Sequence, residues 1–198
     1  MVKKTLDVLF VNPGNASGIY QSLSKDHSAI ETPTWSLLLS SSCRSKGYKV
    51  AILDTNAERL TDEEASKKIL DLNPRLIALV VYGQNPNSGT VNMSGAISLA
   101  IKIKKNNPSS IISIHGSHVQ ALPVETMQKE KSINFVFTNE GVYSLWNVLS
   151  LQKIDNESVK KIKGLCVRDG DRVFMTPPEK IVPQNRMDVD LPGYAWDL

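Results

Sequence analysis

Two short apolar runs with no polar face constrain this chain more than any other feature. Residues 6–11 (LDVLFV) hold one polar side chain, Asp7, and residues 76–82 (LIALVVY) hold none before the terminal tyrosine. Strands of this kind do not alternate, so both of their faces are covered, as in a parallel sheet flanked by helices. Each run stops at a loop of small residues. Asn12, Pro13, Gly14, Asn15, Ala16, Ser17 and Gly18 follow the first, and residues 83–90 (GQNPNSGT) follow the second. Proline and glycine end strands, and small side chains let a ligand approach the backbone N–H groups.

Helical periodicity fills the intervals. A helix is predicted from about Pro33, with Trp35, Leu38, Leu39 and Cys43 on one face and Gly47 past its end. The second strand covers residues 48–53. Thr61 followed by Glu64 is a capping box that opens the next helix, which stops before Pro74. A helix over 91–105, a strand over 111–115, a short helix from Pro123, a strand over 135–138 and a helix over 141–149 complete the pattern. Five strands alternating with five helices predict an α/β, flavodoxin-like doubly wound parallel sheet of order 2-1-3-4-5. Residues 164–175 (GLCVRDGDRVFM) predict a β-hairpin turning at Asp169-Gly170. Beyond it, residues 176–198 have no periodicity and read as an extended linker. The expected division is therefore 1–152 for the sheet domain and 153–198 for hairpin and linker.

Composition narrows the function classes. Of 198 residues 41% are hydrophobic and 22% charged, with a net charge of +3, as in a soluble globular protein. The lysines at 153, 160, 161 and 163 have no interleaved aromatics and read as a solvated face, so no nucleic-acid partner is expected. Cys43 and Cys166 form no CxxC pair and read as small buried hydrophobes. Neither a secretory signal nor a membrane span is visible, which points to a cytoplasmic location and no membrane partner.

In a sheet of this order the loops after strands one, three, four and five converge on one edge, near the switch point between strands one and three. They bring together Asn12, Pro13, Gly14, Asn15, Ala16 and Ser17; Tyr82, Gly83 and Gln84; His115, Gly116, Ser117 and His118; and Asn139, Glu140 and Gly141. The GxxxxGK[ST], GxGxxG and GxSxG signatures are absent. His115 and His118 have no carboxylate or cysteine at ligand spacing, so no metal site is expected; His118 reads as a turn cap or as a contact for a ligand tail. A glycine-lined edge with few charges suits a large planar or extended cofactor, and these sixteen residues are the candidate cofactor-binding set, with no catalytic residue among them.

Seven segments then fall in a recognisable order. They are Val11-Asn12-Pro13-Gly14; Thr32-Pro33-Thr34-Trp35-Ser36; Lys46-Gly47-Tyr48-Lys49-Val50 through Asp54; Lys105 and Pro108 with His115-Gly116-Ser117-His118 and Pro123; Asn139-Glu140-Gly141-Val142; Gly164 through Arg168; and Leu191-Pro192-Gly193-Tyr194-Ala195-Trp196-Asp197-Leu198. This series resembles the amino-terminal cobalamin-binding domain of cobalamin-dependent radical SAM enzymes. The chain departs from that family at His115, where a glycine is usual, and at Asn139-Glu140-Gly141-Val142, where GEGE is usual; its first loop holds no histidine. The resemblance implies a base-off cobalamin without a protein imidazole on cobalt. It also implies a radical SAM barrel with its iron–sulfur cluster and S-adenosylmethionine beyond Leu198, and a parent enzyme of the methyltransferase class in which this part is not itself catalytic. Some relatives keep the fold without the cofactor, so the alternative is a scaffold domain that no longer binds cobalamin.

Overall fold

The computed structural model describes residues 6–14, 30–82 and 86–198, with side chains for all of these except 86–91. The described strands are β1 (Val8–Asn12), β2 (Val50–Asp54), β3 (Leu76–Val81), β4 (Ile112–Gly116), β5 (Phe135–Phe137), β6 (Leu165–Asp169) and β7 (Arg172–Met175). They form one sheet of order β2-β1-β3-β4-β5-β6-β7. Pairing is parallel from β2 through β5 and antiparallel at β5–β6 and β6–β7. The fold is α/β with a mixed, mostly parallel sheet. An all-parallel five-stranded sheet with an appended hairpin is therefore corrected in one respect. The hairpin extends the same sheet, since β5 has only three residues and an otherwise open edge whose N–H and C=O groups need partners.

The two continuous apolar runs become β1 and β3, covered on both faces as a run without a polar face requires. In β1, Val8, Leu9, Phe10 and Val11 are fully buried, and every residue of β3 is buried. Helices α1 (Thr34–Ser45), α2 (Asp62–Leu72), α3 (Pro86–Asn106), α4 (Ser117–Ala121), α5 (Pro123–Lys129), α6 (Val142–Leu149) and α7 (Asn156–Val159) cover the two faces. Thr61 and Glu64 make the capping box of α2, each side chain taking the other residue's backbone N–H. Helix α3 starts at Pro86 rather than near residue 91, because proline is well placed in a first helical turn, where its missing N–H has no partner to lose.

The sheet separates two cores. On the first face Leu9 and Val11, Ile77 and Leu79, and Ile112 and Ile114 pack against α2, α3 and α5. The second face joins Val8 and Phe10, Ala78 and Val80, and Phe135 and Phe137 to α1, α6 and α7. Residues 176–198, expected as a featureless linker, instead fold back onto this second face. They include a 3₁₀ turn, Gln184–Arg186, and helix α8 (Met187–Asp190), and they bury Val182, Asp190 and Ala195. Cys43 and Cys166 are both buried, on opposite faces.

Candidate functional site

Strand β1 lies between β2 and β3, so the sheet reverses direction of winding at β1–β3 and the crevice beyond its carboxyl end is the switch point. Asn12, Pro13 and Gly14 leave β1 there. Thr55, buried at the end of β2, pins this start: its N–H and its hydroxyl both donate to the Asn12 carbonyl, at 3.0 and 3.1 Å, and its Oγ1 accepts from the Gly14 N–H at 2.8 Å. Asn15, Ala16 and Ser17 lie outside the described residues, as do Gly83 and Gln84.

At the end of β3, Tyr82 stacks on Trp35 of α1, ring centroids 4.8 Å apart, and makes an aromatic wall beside the crevice. Burial pushes its hydroxyl pKa up to about 12, so the phenol stays protonated. The Gln120 side-chain amide donates to that hydroxyl and, at 2.7 Å, to the Asn139 carbonyl, tying the ends of β3 and β5 together. Asn139 in turn accepts the Gly141 N–H at 2.9 Å and donates to the Glu179 carbonyl at 3.0 Å, while the Glu140 carboxylate accepts the Val182 N–H. The β5 end of the rim is thus strapped by residues 179–182. Thr55, Trp35, Gln120 and Glu179 escaped the sequence reading as rim residues. Trp35 carries a signal in the sequence, an aromatic at a helix start, but helical spacing groups it with Leu38, Leu39 and Cys43.

His115 sits under the rim rather than on it. Alternation along β4 sends Ile112 and Ile114 to the first core, so Ser113 and His115 face the second. The imidazole is fully buried and stacks on Phe137 at 3.7 Å between ring centroids, and neither ring nitrogen has a hydrogen-bond partner. Burial holds its pKa down to about 3, so the ring is neutral. Gly141, at φ +83°, lies over it; a Cβ there would come within 2.6 Å of the ring. Gly116 is required for a different reason, since its Cβ would lie 2.4 Å from the Val81 carbonyl oxygen of β3. Ser117 is partly exposed at the start of α4. His118 leads away from the rim and lines a groove of about 600 Å³ between α3 and α5, with Met93, Ile97 and Leu122.

Four further hydroxyls on the second face share the condition of His115. Ser36 and Ser40 on α1, Ser113 on β4 and Ser144 on α6 are fully buried and unpartnered. Among the described residues no group of three or more His, Cys, Asp or Glu is placed to hold a metal ion, and no helix is long and apolar enough to cross a membrane.

No family model matches the sequence, and no curated protein matches it. Solved structures do. One is TsrM, a radical S-adenosylmethionine methyltransferase from Kitasatospora setae, with tryptophan substrate and the SAM analogue aza-SAM bound: TM-score 0.60, 17% identity, 87% of this chain and 30% of that one covered. The same enzyme with cobalamin and a [4Fe–4S] cluster bound gives a TM-score of 0.61 at 18% identity, covering 89% of this chain and 30% of that one. The folds are alike. At this identity the likeness concerns the fold alone, and this chain spans about 30% of the length of TsrM.

Proposed function

We propose that this chain is a cobalamin-binding module of a radical SAM enzyme of the methyltransferase class, with the cofactor held over the carboxyl rim of the sheet. The observation that carries the reading is the set of orphaned polar groups on the second face of the sheet: His115, Ser113, Ser36, Ser40 and Ser144. A buried polar group without a partner costs about 1–3 kcal/mol, so five on one face suit an interface that acquires partners when a ligand with amide, phosphate and heteroaromatic parts is bound. The Trp35–Tyr82 stack and the Asn12–Gly14 backbone supply a flat wall and small, uncharged footing for a broad disc. Support for this ligand over others comes from the likeness to TsrM, whose structure contains cobalamin. Cobalamin supplies methyl carriage on cobalt, which no side chain offers, and the protein supplies orientation and surroundings. In this reading Asn12, Pro13, Gly14, Asn15, Ala16 and Ser17, Tyr82, Gly83 and Gln84, and Gly116 and Ser117 border the ligand. His115 serves it from below, and Asn139, Glu140 and Gly141 close the far end. The iron–sulfur cluster, S-adenosylmethionine and substrate belong to a radical SAM domain of the parent protein, in the cytoplasm.

One observation favours a second reading, a scaffold domain that binds no corrin: Asn139 and Glu140 are already engaged by residues 179–182, and His115 fills the space under Gly141. Incubation with hydroxocobalamin followed by gel filtration separates the two. Retention of the corrin absorption bands with the protein at tens of micromolar supports the module; a colourless protein fraction supports the scaffold.

A further inference from the structure

Asp190 lies in the one-turn helix α8 and is 2% exposed, although it carries a carboxylate. Its partners come from two separate helices. The Ser42 hydroxyl of α1 donates to its backbone carbonyl at 2.6 Å, and the Tyr143 hydroxyl of α6 donates to Oδ2 at 2.7 Å. Arg186 completes the carboxylate from its own turn, at 2.9 and 3.1 Å, and the Lys46 ammonium stands 3.7 Å away. Further along, the Ala195 N–H donates to the Leu37 carbonyl of α1 at 3.3 Å, and Arg44 of α1 holds Asp197 through both carboxylate oxygens at 2.7 and 2.8 Å. The contacts of residues 186–197 therefore converge on α1 and, through Asp190, bridge α1 to α6. Those helices cover the face that buries the unpartnered groups of Ser36, Ser40, Ser113, Ser144 and His115.

We infer that residues 186–197 are a latch, with Asp190 its positioning residue, that holds α1 to α6 and controls whether the seam between these two helices opens. An interface carrying unsatisfied polar groups gains less from staying closed than an apolar one, so an external clasp decides its state. A ligand at the rim reaches those groups only through an open seam, and in that respect alone the inference rests on the function proposed above. The latch itself does not, so it is tested without ligand.

The chain contains its own reporters. Cys43 lies on α1 in the latched core and Cys166 on β6 in the opposite core, both fully buried. Alkylation by iodoacetamide, read peptide by peptide by mass spectrometry, measures the opening of each face separately. In Asp190→Asn the Cys43 rate is expected to rise at least tenfold over the unsubstituted protein while the Cys166 rate changes less than twofold. Tyr143→Phe, a milder change that leaves the turn intact, is expected to raise Cys43 alone by a smaller factor. Equal acceleration at both cysteines in both variants means global unfolding and overturns the latch. No acceleration at Cys43 in either variant overturns it as well.

Discussion

The two faces of one sheet have been solved differently by the same chain. On the first face each strand offers aliphatic side chains to α2, α3 and α5; the buried hydroxyl of Ser66 there accepts from the Asn106 amide at 3.1 Å, and Arg168 spends its guanidinium on the carbonyls of Met127, Glu130 and Ile133, its Nε alone lacking a partner. On the second, β4 contributes Ser113 and His115, α1 contributes Ser36 and Ser40 and α6 contributes Ser144, all buried and unpartnered, and a folded tail covers the helices from outside. The first face follows the rule that interiors are dry and close-packed. The second departs from it where the candidate site lies, and departures of this kind collect where function requires them.

Substitutions on either side sharpen or break this contrast. Leu79→Ala, on the apolar face, opens a cavity and is expected to cost about 2–5 kcal/mol in urea unfolding. On the second face Gly141→Ala places a methyl against the His115 ring at a positive φ and is expected to cost about 1–3 kcal/mol. In the background of His115→Ala that loss should shrink, leaving only the backbone part; an undiminished loss would remove the ring from the account.

Acid titration offers a third comparison. His115 has its folded pKa lowered to about 3 from an ordinary 6.5, so below pH 6.5 the unfolded chain binds a proton that the folded one refuses. The stability contributed by the neutral ring is fully present above pH 6.5 and falls by up to about 1.4 kcal/mol per pH unit as pH drops toward 3. Comparing the unfolding free energy of the unsubstituted chain with that of His115→Leu between pH 7 and 4 isolates this slope; equal slopes would contradict a buried neutral imidazole. The smallest effect is expected at the serines. Ser40→Ala and Ser113→Ala remove unpartnered hydroxyls and should raise stability by up to about 1 kcal/mol, whereas a comparable loss would show that these hydroxyls have partners in the protein.

Much of the first face could be read from the sequence because its signals are local. The runs at β1 and β3, the capping box at Thr61 and Glu64, and the Asp169-Gly170 turn each depend on neighbours within a few residues. What was missed depends on distant partners. A turn signal specifies the β6–β7 hairpin but not the edge it joins, and that edge is set by the short β5. No periodicity marks residues 186–190 because their helical turn is held by Ser42 and Tyr143 rather than by its own spacing. Candidate rim positions at Asn12, Tyr82, Gly116 and Asn139 were legible from strand ends alone. Strand phase would have shown that His115 points below the rim, since Ile112 and Ile114 take the other face.

The central claim is that the second face keeps its polar groups for a corrin ligand, and thermal unfolding with a panel of ligands tests it most directly. At a hundredfold its dissociation constant a specific ligand adds about 2.7 kcal/mol, a shift of several degrees. Hydroxocobalamin should raise the melting temperature of the unsubstituted chain and raise that of His115→Leu less, while nucleotides and flavins leave both unchanged. A shift with a nucleotide or flavin and none with hydroxocobalamin would contradict the account.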